Sequence, residues 1–319
     1  MKNRLMYCIT LTVMIALLIP GITIAKPFKI GVTTIVSHPA LEADQKGFEK
    51  ALADAGVEAV YDYQNAQGEM ANAQAIAQKF DADKVDLVHA IATPTSQAAV
   101  KVIKKIPVVY SSVTDPVDAG LVKTMDAAGE NVTGVSDAWP IDRQIDLYHE
   151  MLPSAKKWGT IYNAGDANSV QSINWTREAM KKRGLEIVEV TISNSSEVYT
   201  AAQSLIGRVD AIYITSDNMV ASAFGSVTKV SDGNKIPVFV GNTDQVPQGA
   251  IAALGFDSFA VGYAAGKKAA MSLKDGKNPG RIPSGLAEDL KLHLNPKAAE
   301  KQGMKLDKKY LAKADKKIE

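Results

Sequence analysis

The stretch VDLVHAIATPTSQAA (Val85–Ala99), closed by IPVVYSSVTDP (Ile106–Pro116), decides the fold, because the chain says it twice. Its echo is VDAIYITSDNMVASA (Val209–Ala223), closed by IPVFVGNTD (Ile236–Asp244). Each copy opens on Val-Asp, climbs an apolar run, breaks into small polar residues and enters an Ala-rich helical segment. Each then reaches Ile-Pro-Val, a second apolar run and a polar tip ending in Asp. The flanks repeat as well: KIGVTTIVSHPALEADQKGFEKALADAGVE (Lys29–Glu58) leads the first copy and KWGTIYNAGDANSVQSINWTREAMKKRGLE (Lys157–Glu186) the second. In both, a strand ends in a polar loop, an amphipathic helix follows, and a glycine (Gly56, Gly184) ends the helix in the manner of a left-handed cap. A repeat whose period is a whole domain predicts two similar lobes and not a solenoid.

Short apolar strands alternating with helices of 10–15 residues predict parallel sheets. Near-continuous apolar runs such as Val85–Ala92 fit strands covered on both faces. The expected class is therefore α/β, with two doubly wound parallel-sheet lobes joined by three crossover segments, near Trp139, Gln248 and Pro279. Lobe 1 is predicted over residues 28–137 plus 249–277, and lobe 2 over 138–248 plus 278–300. Residues 301–319 read as a charged, solvated C-terminal tail. The strand Ala250–Phe256 and the helix Phe259–Lys274 are assigned to the first lobe, and Pro279–Asn295 to the second.

The N-terminus carries its own signal. Lys2 and Arg4 precede an apolar run, Leu5–Ile19, of about 15 residues, short of the roughly 20 that span a bilayer. Pro20-Gly21 breaks the run, and Thr23-Ile24-Ala25 places small residues where a signal peptidase reads. Residues 1–25 are expected to be a signal peptide cleaved after about Ala25, which makes the product periplasmic. Cys8 lies early in the run and not at its end, so the protein is not expected to be a lipoprotein. The mature chain then has no cysteine, hence neither disulfide nor thiol nucleophile.

The 319 residues are 46% hydrophobic and 22% charged, enough for packed cores, with a formal net charge of +1. Removal of Lys2 and Arg4 with the leader turns this to −1. A nucleic-acid partner would need a clustered basic excess, so none is expected.

In open α/β sheets ligands bind beyond the carboxyl ends of the strands. Those ends are Ser37-His38, Thr93–Ser96, Thr114-Asp115 and Ser136-Asp137 in the first lobe, and Asn163–Ser169, Asp217-Asn218 and Asn242–Asp244 in the second. The expected ligand-binding set is Ser37, His38, Thr93, Thr95, Ser96, Thr114, Asp115, Asp137, Asn163, Asn168, Ser169, Asp217, Asn218 and Asn242. Thr93–Ser96 at a helix start can offer N–H groups and hydroxyls to an anion, or merely cap the helix. Asp115, Asp137, Asp217 and Asp244 can hold an ammonium, or serve turns and caps. His38, His89, His149 and His293 show no metal spacing, and His89 inside an apolar strand reads as a core residue. Trp139, Trp158 and Trp175 can stack on a ligand, with core or hinge packing the default for each. Neither a phosphate-cradling loop nor a nucleophile elbow is visible. No catalytic residue, cofactor or metal is expected, and the chain is not expected to be an enzyme.

Five blocks carry a resemblance: VSHPAL (Val36–Leu41), DLVHAIATPTSQAA (Asp86–Ala99), SSVTDP (Ser111–Pro116), NVTGVSD (Asn131–Asp137) and SDNMVAS (Ser216–Ser222). With them the sequence resembles the TrpX-like (tryptophan/tyrosine) ABC transporter substrate-binding family, over about Phe28–Leu290. The resemblance implies a type I periplasmic-binding fold, an aromatic amino acid such as Trp, Tyr or Phe as ligand, and an ABC permease as partner. It implies that the hydroxyls of Thr93, Thr95 and Ser96 hold the carboxylate, and that Asp137 and Asp217, with Asn218 beside them, hold the ammonium. The protein is expected to work as a monomer that captures its ligand between the lobes by hinge closure. The alternatives are another small polar solute (a different amino acid, a nucleoside or a sugar), a sensor's ligand-binding protein, or a secreted α/β enzyme.

Overall fold

The computed structural model describes residues 26–126 and 130–318. The expected signal peptide and Cys8 lie outside the described residues.

The first sheet is built from β1 (Phe28–Thr34), β2 (Ala59–Asn65), β3 (Leu87–Ile91), β4 (Val108–Val113), β5 (Val132–Ser136) and a late strand, β11 (Gly285–Leu286), in the order β11-β5-β4-β3-β1-β2. All of its pairings are parallel. The second sheet comprises β6 (Lys157–Asn163), β7 (Glu186–Ile192), β8 (Ala211–Ile214), β9 (Val238–Val240), β10 (Ala252–Gly255), β12 (Lys291–Leu294) and β13 (Lys316–Lys317). Its order is β13-β12-β10-β9-β8-β6-β7; β10 and β12 pair antiparallel, and the other pairs among the described residues are parallel. The central strands β3, β5, β8 and β9 are buried at every residue, which is why they read as unbroken apolar runs. Among the helices, α1 (Pro39–Asp54), α2 (Met70–Ala82) and α3 (Thr93–Val102) follow strands of the first sheet. The second sheet is served by α4 (Ile141–Met151), α5 (Ala167–Lys182), α6 (Val198–Ser204), α7 (Asn218–Ser222) and α8 (Phe224–Asn234). Gly56 and Gly184 end their helices at φ +69° and +64°, the left-handed conformation expected of both.

The helix α9 (Ser258–Leu273) returns to the first lobe as expected, and glycine makes the docking possible. A Cβ on Gly262 would lie 1.8 Å from the Asp44 carbonyl oxygen, and one on Gly47 would lie 2.0 Å from that of Phe259. The backbones of α1 and α9 therefore touch directly.

Three expectations about the chain path are corrected. The strand at 252–255 does not go back with α9: β10 pairs with β9 and β12 in the second sheet, so the second crossing lies at Phe256-Asp257 and not near Gln248. The segment after Pro279 does not pass straight to the second lobe. Thr133 donates its hydroxyl to the Ile282 carbonyl (2.8 Å) and β11 pairs with β5, which delays the third crossing to Ala287–Leu290. The tail is not merely solvated charge: α10 (Pro296–Lys301) and α11 (Lys308–Lys313) lead to β13, which pairs with β12, and Tyr310 is buried in the second core. The Ala-rich helical segment of the second copy is also broken, at Ala223, into α7 and α8.

A belt of aromatic and polar groups ties α4 to the second sheet. Tyr148 stacks on Phe239, donates its hydroxyl to the Val240 carbonyl (2.7 Å) and accepts from the Leu254 N–H (2.8 Å). Gln144 bonds the Tyr213 hydroxyl and the Leu254 carbonyl. The first crossing, just before α4, is thereby anchored on the second lobe.

Candidate functional site

The carboxyl ends of both sheets face one cleft holding about 460 Å³ of empty space, part of it open to solvent. From the first lobe come His38, Ala40 and Leu41 at the start of α1, Ser112 at the end of β4, and Asp137 beyond β5. From the second come Asn168 on α5, Thr215–Asn218 beyond β8, Ala221 on α7, and Asn242 and Gln245 beyond β9. Trp139 and Ser258, next to two of the crossings, close the hinge end.

Of the expected set, His38, Asp137, Asn168, Asp217, Asn218 and Asn242 line this cleft together. The others are not part of its lining, and all but Thr93 are engaged elsewhere. Ser37 accepts from the Asn65 amide at 2.9 Å. The Thr95 hydroxyl donates to the Ile91 carbonyl (2.6 Å), and that of Ser96 to the Ala92 carbonyl (2.7 Å). Thr93 is buried at the same helix start, with its hydroxyl unpartnered. The residue before it, Ala92, stands at φ +77°, a strained backbone for a residue with a Cβ. Asn163 and Ser169 both serve Asp217, through a backbone N–H at 2.6 Å and a hydroxyl at 2.8 Å. Asp115 accepts the N–H groups of Val117 and Asp118, an Asx turn.

Several contacts bridge the lobes. His38 Nε2 lies 3.4 Å from Asn218 Oδ1, the Thr114 hydroxyl donates to Ser216 Oγ at 3.2 Å, and the Gln171 amide donates to Asp115 at 3.3 Å. A Cβ on Gly68 of the first lobe would sit 3.1 Å from Met219 Cε of the second. The lobes are thus closed on one another.

Electrically the cleft is one-sided. Among the described residues, its lining holds two carboxylates and no Lys or Arg. Asp217 caps α7 through the Val220 N–H (2.8 Å) and is filled by Asn163 and Ser169; burial still raises its pKa against those bonds. Asp137 has an unpartnered buried Oδ1, and burial, aided by the nearby Asp44 charge, pushes its carboxyl up to about 7. Burial and the Asp217 charge likewise push Asp166, just before α5, up to about 7. His38 goes the other way: burial lowers it to about 4 against the bond to Asn218, so its ring is neutral at pH 7. Asn168 Oδ1, Thr215 Oγ1 and Gln245 Oε1 also lack partners. The Asn168 amide donates to the Ser216 carbonyl at 3.2 Å, which fixes its Oδ1 as the free acceptor. Buried acceptors without donors are costly, so a site of this kind suits a ligand that brings N–H groups.

Sequence reasoning missed Ser112, Thr215, Ser216, Gln245 and Ser258, and it took packing over ligand stacking as the default for Trp139. Thr215-Ser216 and Gln245 were within reach, since each adjoins a predicted tip. Ser112 was not, because its place depends on a register break in β4 between Tyr110 and Val113 and on its own φ of +51°. His89 behaves as expected of a core residue: it is fully buried and stacked on Phe48 at 3.7 Å.

The chain matches, over residues 29–318, the family model described as ABC transporter substrate binding protein. It is 40% identical over 297 residues to a tyrosine-binding protein of Clostridioides difficile, an alignment covering 91% of this chain and 86% of that one. The structure of an ABC domain in complex with L-Trp from Streptococcus pneumonia superposes with a TM-score of 0.88 at 30% identity, covering 92% of this chain and 100% of that one. The ligand-free, open structure of a substrate binding protein from Clostridium difficile gives only 0.67, at 36% identity and with 92% and 99% covered. The lower score at the higher identity fits two lobes of one fold set at a different angle, and the closed contacts above agree with it. Fold, cleft and sequence converge: this chain belongs to the ABC transporter substrate-binding protein family, on a type I periplasmic-binding fold.

Proposed function

We propose that the protein captures an aromatic amino acid between its lobes and presents it to a membrane permease. The observation that carries this reading is the set of unpartnered acceptors, Asp137 Oδ1, Asn168 Oδ1 and Gln245 Oε1, in a cleft that among the described residues is lined by two carboxylates and no cation. An ammonium has three donors and no acceptor, and these three oxygens could take them. Asp137 carries the charge; Asp217, already filled, shapes the second wall. The resemblance gives the carboxylate to the start of α3, where the Thr93 hydroxyl has no partner, although that turn lies behind the residues that line the closed cleft. Ala40, Leu41, Ala221 and Trp139 supply the apolar surface for the ring. The tyrosine-binding relative and the L-Trp complex support this choice of ligand.

Closure does the work. A ligand that touches both lobes favours the closed state by the difference between its affinities for the two states. The lobes swing about Asp137–Pro140, Phe256-Asp257 and Ala287–Leu290. Binding and release need no bond chemistry. The mature protein, freed of residues 1–25, acts as a monomer in the periplasm.

Thermal shift against the 20 amino acids, followed by calorimetry, tests the reading. Stabilisation by tyrosine or tryptophan is expected. A response to none of the aromatic amino acids, or a stronger one to a nucleoside or sugar, overturns it.

A further inference from the structure

Beneath the cleft wall lies a buried carboxylate that ligand contact does not explain. Asp44, on α1, is wholly inaccessible to solvent. Its Oδ1 accepts the Ser111 hydroxyl at 2.7 Å and its Oδ2 the Ser112 hydroxyl at 2.5 Å. Ser111 Oγ spends its one proton on Asp44, so at its 2.7 Å contact with His89 Nε2 it must accept; the network thereby assigns the proton of His89 to Nε2. That nitrogen is also 3.5 Å from Asp44 Oδ1. A chain of polar groups thus runs from the core, His89 to Ser111 to Asp44, and emerges at Ser112 on the cleft.

Two features make this more than a satisfied core. Ser112 stands at φ +51°, which strains a residue with a Cβ and persists only where its surroundings hold it. The hold here is the Asp44 bond. Asp137 is held at the same wall: its N–H donates to the carbonyl of Val113, the residue after Ser112, at 3.1 Å, and Ser112 and Asp137 both line the cleft, so the Asp44 charge bonded to Ser112 helps to raise the Asp137 carboxyl. The other titratable groups about this wall are His89 on β3, His38 ahead of α1, and Asp217 across the cleft.

We propose that Asp44 is a positioning residue for ligand capture: it locks Ser112 into the cleft wall and stands as a second negative charge behind Asp137, so that two carboxylates draw the ligand's ammonium. This rests on the reading that the cleft takes an amino acid by its ammonium group.

The test is the affinity for L-tyrosine, by calorimetry from pH 5.5 to 8.5, of the wild type, Asp44→Asn and Ser112→Ala, each checked for folding by circular dichroism and melting. Wild-type affinity is expected to weaken as pH falls through about 7, where Asp137 takes up its proton. Asp44→Asn should bind at least tenfold more weakly at pH 8, and its acid midpoint should move down by half a unit or more. A purely structural role would weaken binding and leave the midpoint in place. Ser112→Ala should weaken binding at least threefold with the midpoint unmoved. A folded Asp44→Asn protein with the wild-type midpoint overturns the proposal. If Asp44→Asn does not fold, Ser112→Ala decides, and wild-type affinity there overturns it. A wild type that binds no aromatic amino acid at any pH sinks the functional reading and this inference with it, whereas the other adverse results sink the inference alone.

Discussion

His38, from the first lobe, meets Asn218, from the second, across the cleft, with Nε2 3.4 Å from Oδ1 and both residues buried. Neither residue has this partner once the lobes part, so the pair works as a latch on the closed state. His38→Ala is expected to leave folding intact and to weaken ligand binding by about 1 kcal/mol, roughly fivefold, the worth of one net hydrogen bond. Calorimetry with tyrosine reads the loss, and small-angle scattering reads the shift toward open lobes.

The same latch has a pH dependence of definite sign. Burial holds His38 at about 4, below its ordinary value near 6.5, so the closed state binds fewer protons there than the open or unfolded chain. Its contribution is fully present above about 6.5 and is lost as pH falls toward 4. Scattering should show the wild type opening more across that window than His38→Ala, in which the buried Asp137 and Asp166 carboxyls still titrate but the imidazole does not. Wild-type lobes that stay closed down to pH 4 would contradict this.

Asp137 titrates with the opposite consequence for the unliganded fold. Its carboxyl, raised to about 7, binds protons in the folded state where the unfolded chain has lost them. Its contribution to stability is therefore complete below about 3.9 and is eroded as pH rises through 7. Asp137→Asn should melt higher than the wild type at pH 8, with the difference vanishing by pH 4. The same variant should lose at least tenfold in ligand affinity, about 1.4 kcal/mol. Greater stability with weaker binding is the signature of a charge kept for its ligand; parallel losses of both would point to a structural carboxylate.

Gly241 is the seat of Trp139. A Cβ built there falls 1.9 Å from Trp139 Cε3, on a rigid ring beside the first crossing. Gly241→Ala should displace the indole at a cost of about 1–3 kcal/mol, the usual range for overpacking. Denaturant unfolding measures the cost. Tryptophan fluorescence should shift in the folded variant, because Trp139 leaves its packed position.

The C-terminal residues belong to the second core. Tyr310 is 3% exposed, and β13 extends the sheet past β12. Tyr310→Ala is expected to cost about 3 kcal/mol, at the level of other large-to-small aromatic substitutions. Deletion of residues 307–319 should lower the melting temperature further. Retention of the full melting temperature after deletion would restore the reading of this segment as solvated charge.

What the sequence determined by itself was local and repeated. Two copies of a Val-Asp strand, a polar tip and an Ala-rich helix required two parallel lobes, because unbroken apolar strands need helices on both faces. The tips named six of the cleft residues, since strand ends must point one way in a parallel sheet. What the tertiary structure alone decided was which neighbour each late strand chose and which polar group was left over. Pairing of β10 with β9, and of β11 with β5, is a contact between segments far apart in sequence, and it moved two hinges from where the pattern put them. Whether a serine or aspartate caps a helix or waits for a ligand is likewise invisible in its letter. Asp217 is filled by its neighbours and Asp137 is not, because hydrogen bonds are closed by geometry in three dimensions and not by residue type.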